Sequence, residues 1–109
     1  MNDNSRKLNL YKNPLVWNDS IWMFLYCSGF SYPEKPNLRD KKNFKLMIDC
    51  LYYVIPCDLC KVHFKDFLEK YPIQNYLETK KSFLGYIVRL RNFIMKFYEP
   101  KNKISLKDI

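Results

Sequence analysis

The apolar residues of this chain recur at intervals of three and four between its prolines, and this pattern limits the possible folds more than any other feature. The longest stripe follows i, i+3, i+4, i+7 and i+11, at Phe44, Met47, Ile48, Leu51 and Ile55. Such spacing places the side chains on one face of an α-helix. No strand-type alternation is sustained, and no Asn-Gly or Asp-Gly hairpin turn occurs. The chain is therefore predicted to be all-α.

Capping residues and prolines divide the chain into four predicted helices. They run over about residues 18–30, 37–55, 58–71 and 81–98. A short turn is expected around Tyr76, and Ser105 is expected to cap a last short turn. The prediction is a four-helix bundle with a short extra C-terminal helix.

The chain has 109 residues, which is enough for one domain. We assign residues 14–109 to that domain and expect residues 1–13, which are mostly polar, to form a flexible tail. No apolar h-region of a signal peptide is visible near the start. No apolar stretch is long enough to span a membrane. We therefore expect no secretory signal and no membrane span.

The net charge is +8, from 19 Lys and Arg against 11 Asp and Glu. A positive surface of this size suits an acidic ligand or a phosphate-bearing cofactor. The lysines are dispersed along the chain, which is typical of a solvated surface, and no nucleic-acid motif is present. Nucleic acid is therefore not an expected partner.

The sharpest local motif is Pro56-Cys57-Asp58-Leu59-Cys60 at the predicted start of a helix. Without a secretory signal, we expect a reducing compartment, where structural disulfides are rare. Cysteines there are more often redox-active or metal-binding. The partial positive charge of a helix N-terminus favours thiolate over thiol. We therefore interpret Cys57 and Cys60 as a redox pair.

A zinc module is the main alternative, because Cys50, Cys57, Cys60 and His63 supply four possible ligands. It is less favoured, because structural zinc sites usually contain two spaced pairs and no second pair exists here. A thioredoxin-like protein would need strands that this chain lacks. Phe64 and His63 follow Cys60 by one turn and can reach the same face, although a lone histidine is more often an ordinary surface residue.

The motif belongs to a wider resemblance that covers about residues 17–101. Three segments match a family pattern: Trp17 to Tyr26 followed by Tyr32-Pro33, the block Cys57-x-x-Cys60-x-x-His63-Phe64, and Arg91-Asn92-x-x-Met95. The chain resembles the flavin-linked sulfhydryl oxidases of the Erv/ALR family in their short, single-domain form. The block with Tyr32-Pro33 is specific, and the last motif is weak by itself.

The resemblance implies FAD held within the bundle, with Cys57 as the exchange thiol and Cys60 nearest the flavin. It implies a thiol oxidase that passes electrons from a dithiol protein to oxygen and yields hydrogen peroxide, and it implies a homodimer. The cofactor-binding residues it implies are Trp17, Trp22, Tyr26, Tyr32, His63, Phe64, Tyr86, Arg91, Asn92, Met95 and Lys101. Trp17 and Trp22 suit a plain core role as well.

The chain departs from the family pattern at several of these positions. Asn18 replaces a Gly, Tyr26 and Arg91 each replace a His, Tyr86 replaces a Trp, and Met95 replaces an Asn. We expect Arg91 to stack on the adenine or pair with the pyrophosphate. Such departures resemble divergent viral members. They favour the host cytoplasm or a virion, with a thioredoxin-like or viral redox partner. The mitochondrial intermembrane space is the alternative.

Cys27 and Cys50 lie outside the motif, in the first and second predicted helices. We favour the interpretation that both cysteines are small, buried, apolar core residues, because free cysteine is among the most buried residue types. A second disulfide, a shuttle thiol and a dimer bridge stay open. No second Cys-x-x-Cys exists, so the pair is expected to take electrons directly from a partner dithiol. A flavin-free interaction protein is a further alternative.

Overall fold

The computed structural model describes residues 10–99, 101 and 103–109, and within them there is no β-strand. Four α-helices carry the fold: α1 (Pro14–Ser31), α2 (Leu38–Val54), α3 (Asp58–Lys70) and α4 (Lys80–Met95). Two short 3₁₀ helices, Ile73–Tyr76 and Leu106–Asp108, follow α3 and end the chain. The prediction of an all-α bundle with a short extra C-terminal helix is confirmed.

The predicted flexible tail falls mostly on residues 1–9, which lie outside the described residues. Residues 10–12 are helical. Asn13 then caps α1, because its side chain accepts a hydrogen bond from the Leu15 N–H and a proline follows it at the first helical position. The helix therefore begins before Asn18, the predicted cap. Asn18 is instead buried and accepts a hydrogen bond from Trp22 Nε1.

The starts of the other helices agree with the sequence. A capping box between Asn37 and Asp40 begins α2. Thr79 caps α4, since its hydroxyl accepts a hydrogen bond from the Ser82 N–H. Ser105 and Asp108 form the capping box of the last 3₁₀ helix, as predicted. Local side-chain chemistry is enough to define these starts.

The end of α4 differs from the prediction, since the helix stops at Met95 and turns over residues 96–98. The last turn tightens into bonds of three-residue spacing, in which the Phe97 N–H donates to the Ile94 carbonyl over 3.3 Å and the Tyr98 N–H donates to the Met95 carbonyl over 3.0 Å. Phe97 lies in this turn and not in the helix. Its side chain is 47% exposed.

Helix α4 is the centre of the bundle and contacts α1, α3 and both 3₁₀ helices. It approaches α1 closely at Gly29, where an added Cβ would lie 2.6 Å from Leu84 Cδ2 and 2.9 Å from Ile87 Cδ1. The most deeply buried apolar residues include Leu25, Tyr32, Ile48, Phe64, Phe67, Phe83, Tyr86, Ile87 and Leu90. None of the described helices is long and apolar enough to cross a membrane.

Candidate redox site

A disulfide joins Cys57 and Cys60 where α2 gives way to α3. Helix α2 ends before Ile55 and Pro56, and Cys57 is the N-cap of α3 with an extended backbone. The two Cα atoms are 5.2 Å apart, which is within the usual span of a disulfide. The predicted redox pair is therefore formed at a helix N-terminus.

The two sulfurs have different surroundings. Cys57 is half-buried, and its Sγ accepts a hydrogen bond of 3.2 Å from the backbone N–H of Cys60. Cys60 is only 1% exposed. An external thiol can therefore reach Cys57 more easily, whereas Cys60 faces the interior of the bundle.

The hydroxyl of Tyr98 lies beside both sulfurs, 2.9 Å from Cys60 Sγ and 3.8 Å from Cys57 Sγ. Because sulfurs in a disulfide carry no hydrogen, the hydroxyl is the donor. Burial raises the pKa of Tyr98, so the hydroxyl keeps its proton at neutral pH. Sequence reasoning missed this residue. Its nearest signal was Pro100, which indicates only that the helix ends near this residue.

His63 stacks on Phe97, the residue before Tyr98. The ring centroids are 3.6 Å apart and the planes differ by 4°. His63 Nδ1 is buried and has no hydrogen-bond partner within the described part of the chain. The histidine that was expected to touch the cofactor therefore contacts an aromatic ring on one side and retains one unused nitrogen.

An apolar hollow lies next to Cys60. Trp17, Leu25, Phe64 and Ile94 contribute to its wall. Trp17 Nε1 is buried, and among the described residues it finds no hydrogen-bond partner. Two unused ring nitrogens therefore lie on Trp17 and His63 near the redox pair, but the hollow encloses only about 10 Å³, which is too small for a heterocycle. Trp22 also reaches the hollow, but its Nε1 is bonded to Asn18.

A larger cavity of about 530 Å³ lies along α4 and the C-terminal segment. It brings together three of the predicted cofactor residues, Arg91, Asn92 and Met95. Its wall also includes Arg89, Lys96 and Lys103 with a single acidic residue, Glu99. The excess of positive charge suits a ligand that carries phosphate.

Arg91 is buried at 8% exposure and links α4 to α1. One guanidinium nitrogen donates to Asn92 Oδ1 over 3.1 Å. Burial raises the pKa of Tyr26, while the positive charge of Arg91 and a hydrogen bond from its side chain oppose that rise. The two residues that replace family histidines are therefore in contact with each other.

Asn92 holds the C-terminal segment against α4. Its Nδ2 donates to the Ile104 carbonyl over 2.7 Å, and its Oδ1 accepts from the Ile104 N–H over 3.1 Å. The side chain thus makes the pair of bonds that a neighbouring strand would make. This contact brings Lys103 to the cavity wall.

Two predicted cofactor residues are part of the core and line neither of these two spaces. Tyr32 packs against Phe44 and Phe83, and its hydroxyl donates to the Leu77 carbonyl. The Tyr86 hydroxyl donates to the Tyr71 carbonyl over 2.8 Å. Burial raises the pKa of Tyr86. A further predicted residue, Lys101, is exposed.

The prediction that Cys27 and Cys50 are buried is wrong, because both are exposed. Residues 18, 22, 25 and 29 face inward from α1, so Cys27 lies on the opposite side. On α2, Cys50 lies between the exposed Leu46 and Val54. The four zinc ligands of the alternative are not assembled either, since two of their sulfurs are joined. In the described ranges, no three His, Cys, Asp or Glu side chains are grouped to hold a metal ion.

The chain matches the model of the Erv1 / Alr family over residues 19–107. It is 24% identical over 94 residues to a probable FAD-linked sulfhydryl oxidase of Acanthamoeba polyphaga mimivirus, covering 85% of this chain and 65% of that protein. It is 40% identical over 75 residues to the FAD-linked sulfhydryl oxidase ERV1 of Arabidopsis thaliana, covering 69% of this chain and 38% of that protein. With ERV2 of Saccharomyces cerevisiae the identity is 24%, over 66% of this chain and 41% of that protein. The chain thus spans less than two thirds of each of these relatives.

Proposed function

The chain belongs to the Erv1/Alr family, and we propose that it is an FAD-dependent thiol oxidase that forms disulfides in partner proteins. One observation carries the proposal: a disulfide at a helix N-terminus with one sulfur accessible and the other buried. This asymmetry suits a relay in which a substrate reacts at Cys57 and electrons leave from Cys60. The names of the relatives from mimivirus, Arabidopsis and yeast support the same activity.

The exchange begins when a substrate thiolate attacks Cys57 Sγ. A bond forms between the substrate sulfur and Cys57, the bond from Cys57 to Cys60 breaks, and the electron pair stays on Cys60 Sγ. The second substrate thiolate then attacks the mixed disulfide. It forms the substrate disulfide and releases Cys57 as a thiolate. Two electrons have now passed to the pair, and the substrate has been oxidised.

The residues of this chain fit FAD on two grounds. Unused ring nitrogens lie on Trp17, which lines the hollow beside Cys60, and on His63, which follows Cys60 by three residues, and the cavity beside Arg91 carries an excess of positive charge. The hollow of about 10 Å³ would have to widen to admit a flavin ring. When bound, FAD accepts the two electrons and hands them to oxygen, which yields hydrogen peroxide. We assign the adenine and phosphate end of FAD to Arg91, since a guanidinium both stacks on aromatic rings and bonds phosphate.

The partners belong to the same proposal. The substrate is a dithiol protein, either thioredoxin-like or a viral redox partner. A homodimer is supported by the outward side of α1, where Met23, Phe24 and Phe30 are half exposed or more. The mimivirus relative supports a host cytoplasm or virion location. The plant relative is compatible with the alternative, the mitochondrial intermembrane space.

The visible spectrum of the purified protein, combined with oxygen uptake on dithiothreitol, tests this function. We expect a yellow protein that consumes oxygen and makes peroxide. Cys57→Ser and Cys60→Ser should keep the fold and the flavin but lose the uptake. Cys27→Ser is the matched control, because it removes an exposed cysteine outside the pair. A colourless, folded protein that does not bind added FAD would instead favour the flavin-free interaction protein.

A further inference from the structure

We propose that Tyr98 is a catalytic residue of the redox site, whose hydroxyl holds the Cys60 thiolate that forms when a substrate opens the disulfide. The inference rests on the proposed function and assigns a role within its first step. It concerns Cys60 Sγ, the leaving group of the exchange, whereas the substrate attacks Cys57 Sγ. The argument depends on three features of the site: the position of the hydroxyl, the burial of Cys60 and the anchoring of the turn that carries Tyr98.

The hydroxyl is already in place before reduction. It lies 2.9 Å from Cys60 Sγ and 3.8 Å from Cys57 Sγ, so it favours the sulfur that receives the electron pair. When the disulfide opens, the hydroxyl donates a hydrogen bond to the charged Cys60 Sγ, and its proton stays on oxygen. A neutral disulfide sulfur is a weak acceptor. Hydrogen bonds to ionised groups are about twice as strong as neutral ones. The hydrogen bond from Tyr98 therefore stabilises the reduced state more than the oxidised state.

Cys60 needs such a donor because its surroundings are apolar. Its side chain is 1% exposed and lies beside Leu25, Phe64 and Ile94. A thiolate in such surroundings is costly unless a donor compensates it. Cys57 has the backbone N–H of Cys60 at 3.2 Å for this purpose. For Cys60 Sγ, the described residues offer Tyr98 as the side-chain partner.

The turn that carries Tyr98 is tied to the helix that carries the disulfide. The Tyr98 N–H donates to the Met95 carbonyl over 3.0 Å, which sets the turn after α4. The preceding residue, Phe97, stacks face to face on His63 of α3. His63 follows Cys60 by three residues on the same helix, so the stack fixes the hydroxyl relative to the sulfur. Burial keeps the pKa of Tyr98 above its ordinary value, and the hydroxyl stays a donor.

Tyr98→Phe tests the role, since it removes the hydroxyl and keeps the ring. The protein is equilibrated with dithiothreitol in the absence of oxygen and quenched in acid. It is then denatured and alkylated, and mass spectrometry gives the fraction of chains in which the Cys57–Cys60 pair is reduced. We expect the equilibrium constant for reduction of the pair to fall about tenfold or more, because a hydrogen bond to a charged group is lost. A tenfold fall lowers the potential by about 30 mV. The rate of reduction should fall too, since the leaving sulfur is less stable.

Tyr53→Phe is the matched control, because Tyr53 is 75% exposed on α2. Its potential should equal that of the parent, and circular dichroism should show both variants folded. If Tyr98→Phe shifts the reduction potential and Tyr53→Phe does not, the hydrogen bond to Cys60 is established, whether or not the protein consumes oxygen. A parent protein that consumes no oxygen would then contradict only the proposed oxidase function. If the protein consumes oxygen and Tyr98→Phe has the parent's potential and reduction rate, the role of Tyr98 is overturned.

Discussion

The imidazole of His63 lies flat against the ring of Phe97, with centroids 3.6 Å apart. The stack joins α3 to the turn that follows α4, so it connects the redox helix to the C-terminal part of the chain. A histidine in a Cys-x-x-Cys-x-x-His motif would ordinarily be assigned to the chemistry or the cofactor alone. Here its ring also has a structural partner, and the two roles lead to different predictions.

Replacing His63 by Ala should lower the free energy of unfolding by about 0.5–1.5 kcal/mol, because the ring contact with Phe97 is lost. Urea unfolding followed by circular dichroism measures this change. His63→Phe is the matched variant, since a flat ring at the same position keeps the stack. It should retain most of the stability. Equal losses for both variants would show that the imidazole nitrogens, and not the stacked ring, stabilise the turn.

Asn92 should be important for the order of the C-terminal segment. Asn92→Ala removes both hydrogen bonds to the Ile104 backbone, and we expect a loss of about 1–3 kcal/mol in the free energy of unfolding. The Ile104 amide should also exchange with deuterium faster than in the parent. Asn43→Ala serves as the control, because Asn43 is exposed on α2. An unchanged exchange rate at Ile104 would contradict the two-bond contact.

The two glycines should respond to alanine in opposite directions. Gly29→Ala places a Cβ 2.6 Å from Leu84 Cδ2 and 2.9 Å from Ile87 Cδ1, and both side chains are packed in the core. We expect a loss of about 1–3 kcal/mol from overpacking. At Gly85 an added Cβ meets nothing within 4 Å. Gly85→Ala should gain about 0.5–1 kcal/mol, because alanine favours a helix interior.

Thermal and urea unfolding of both glycine variants provide the comparison. The difference between them is the informative quantity, since both changes add one methyl group inside a helix. A Gly29→Ala variant as stable as Gly85→Ala would contradict the overpacking, because Leu84, Ile87 or the helices themselves would then have moved aside at no cost.

Local sequence was sufficient for most of the fold. Asn37 before α2 and Pro56 after it define that helix, because capping and proline chemistry act within a few residues. Cys57 at the start of α3 follows from the same rules, and it places the Cys57–Cys60 disulfide at a helix N-terminus. The start of α1 was missed because Asn13-Pro14 forms a cap that competes with the polar run beginning at Asn18.

The missed parts of the site depend on packing between helices. Tyr98 contacts Cys60 across 38 positions of sequence, and no periodic pattern encodes that pairing. The exposure of Cys27 depends on which face of α1 packs against α4, and Gly29 lies on the face that contacts Leu84 and Ile87. Tyr32 matches the family pattern and Tyr86 replaces its Trp, yet the hydroxyls of both are bonded to backbone carbonyls.

Arg91 should control the affinity for FAD. Arg91→Ala is expected to weaken FAD binding about tenfold to a thousandfold, since both ring stacking and a charge-assisted bond to phosphate would be lost. The parent should lose affinity as salt rises, whereas the variant should depend on salt less. Titration of flavin-stripped protein with FAD at two salt concentrations measures both effects.

Arg39→Ala is the control for this prediction, because it removes the same charge from an exposed position on α2. It separates a local contact from the general effect of lowering the net charge. Arg91 is also bonded to Asn92 and Tyr26, so thermal unfolding of the flavin-stripped variant must accompany the titration. A folded Arg91→Ala protein with the parent's affinity at both salt concentrations would rule out Arg91 as the adenine and phosphate contact.

Cys27 and Cys50 should be dispensable for the oxidation of a small dithiol. Both are exposed and neither takes part in the disulfide of the site, so the double Ser variant should keep the parent's rate of oxygen uptake on dithiothreitol. Its stability should stay within about 0.5 kcal/mol, as is usual for surface substitutions. Gel electrophoresis without reductant shows whether either thiol bridges two chains in the parent. A folded, flavin-loaded double variant that loses its uptake would instead make these cysteines part of the electron path.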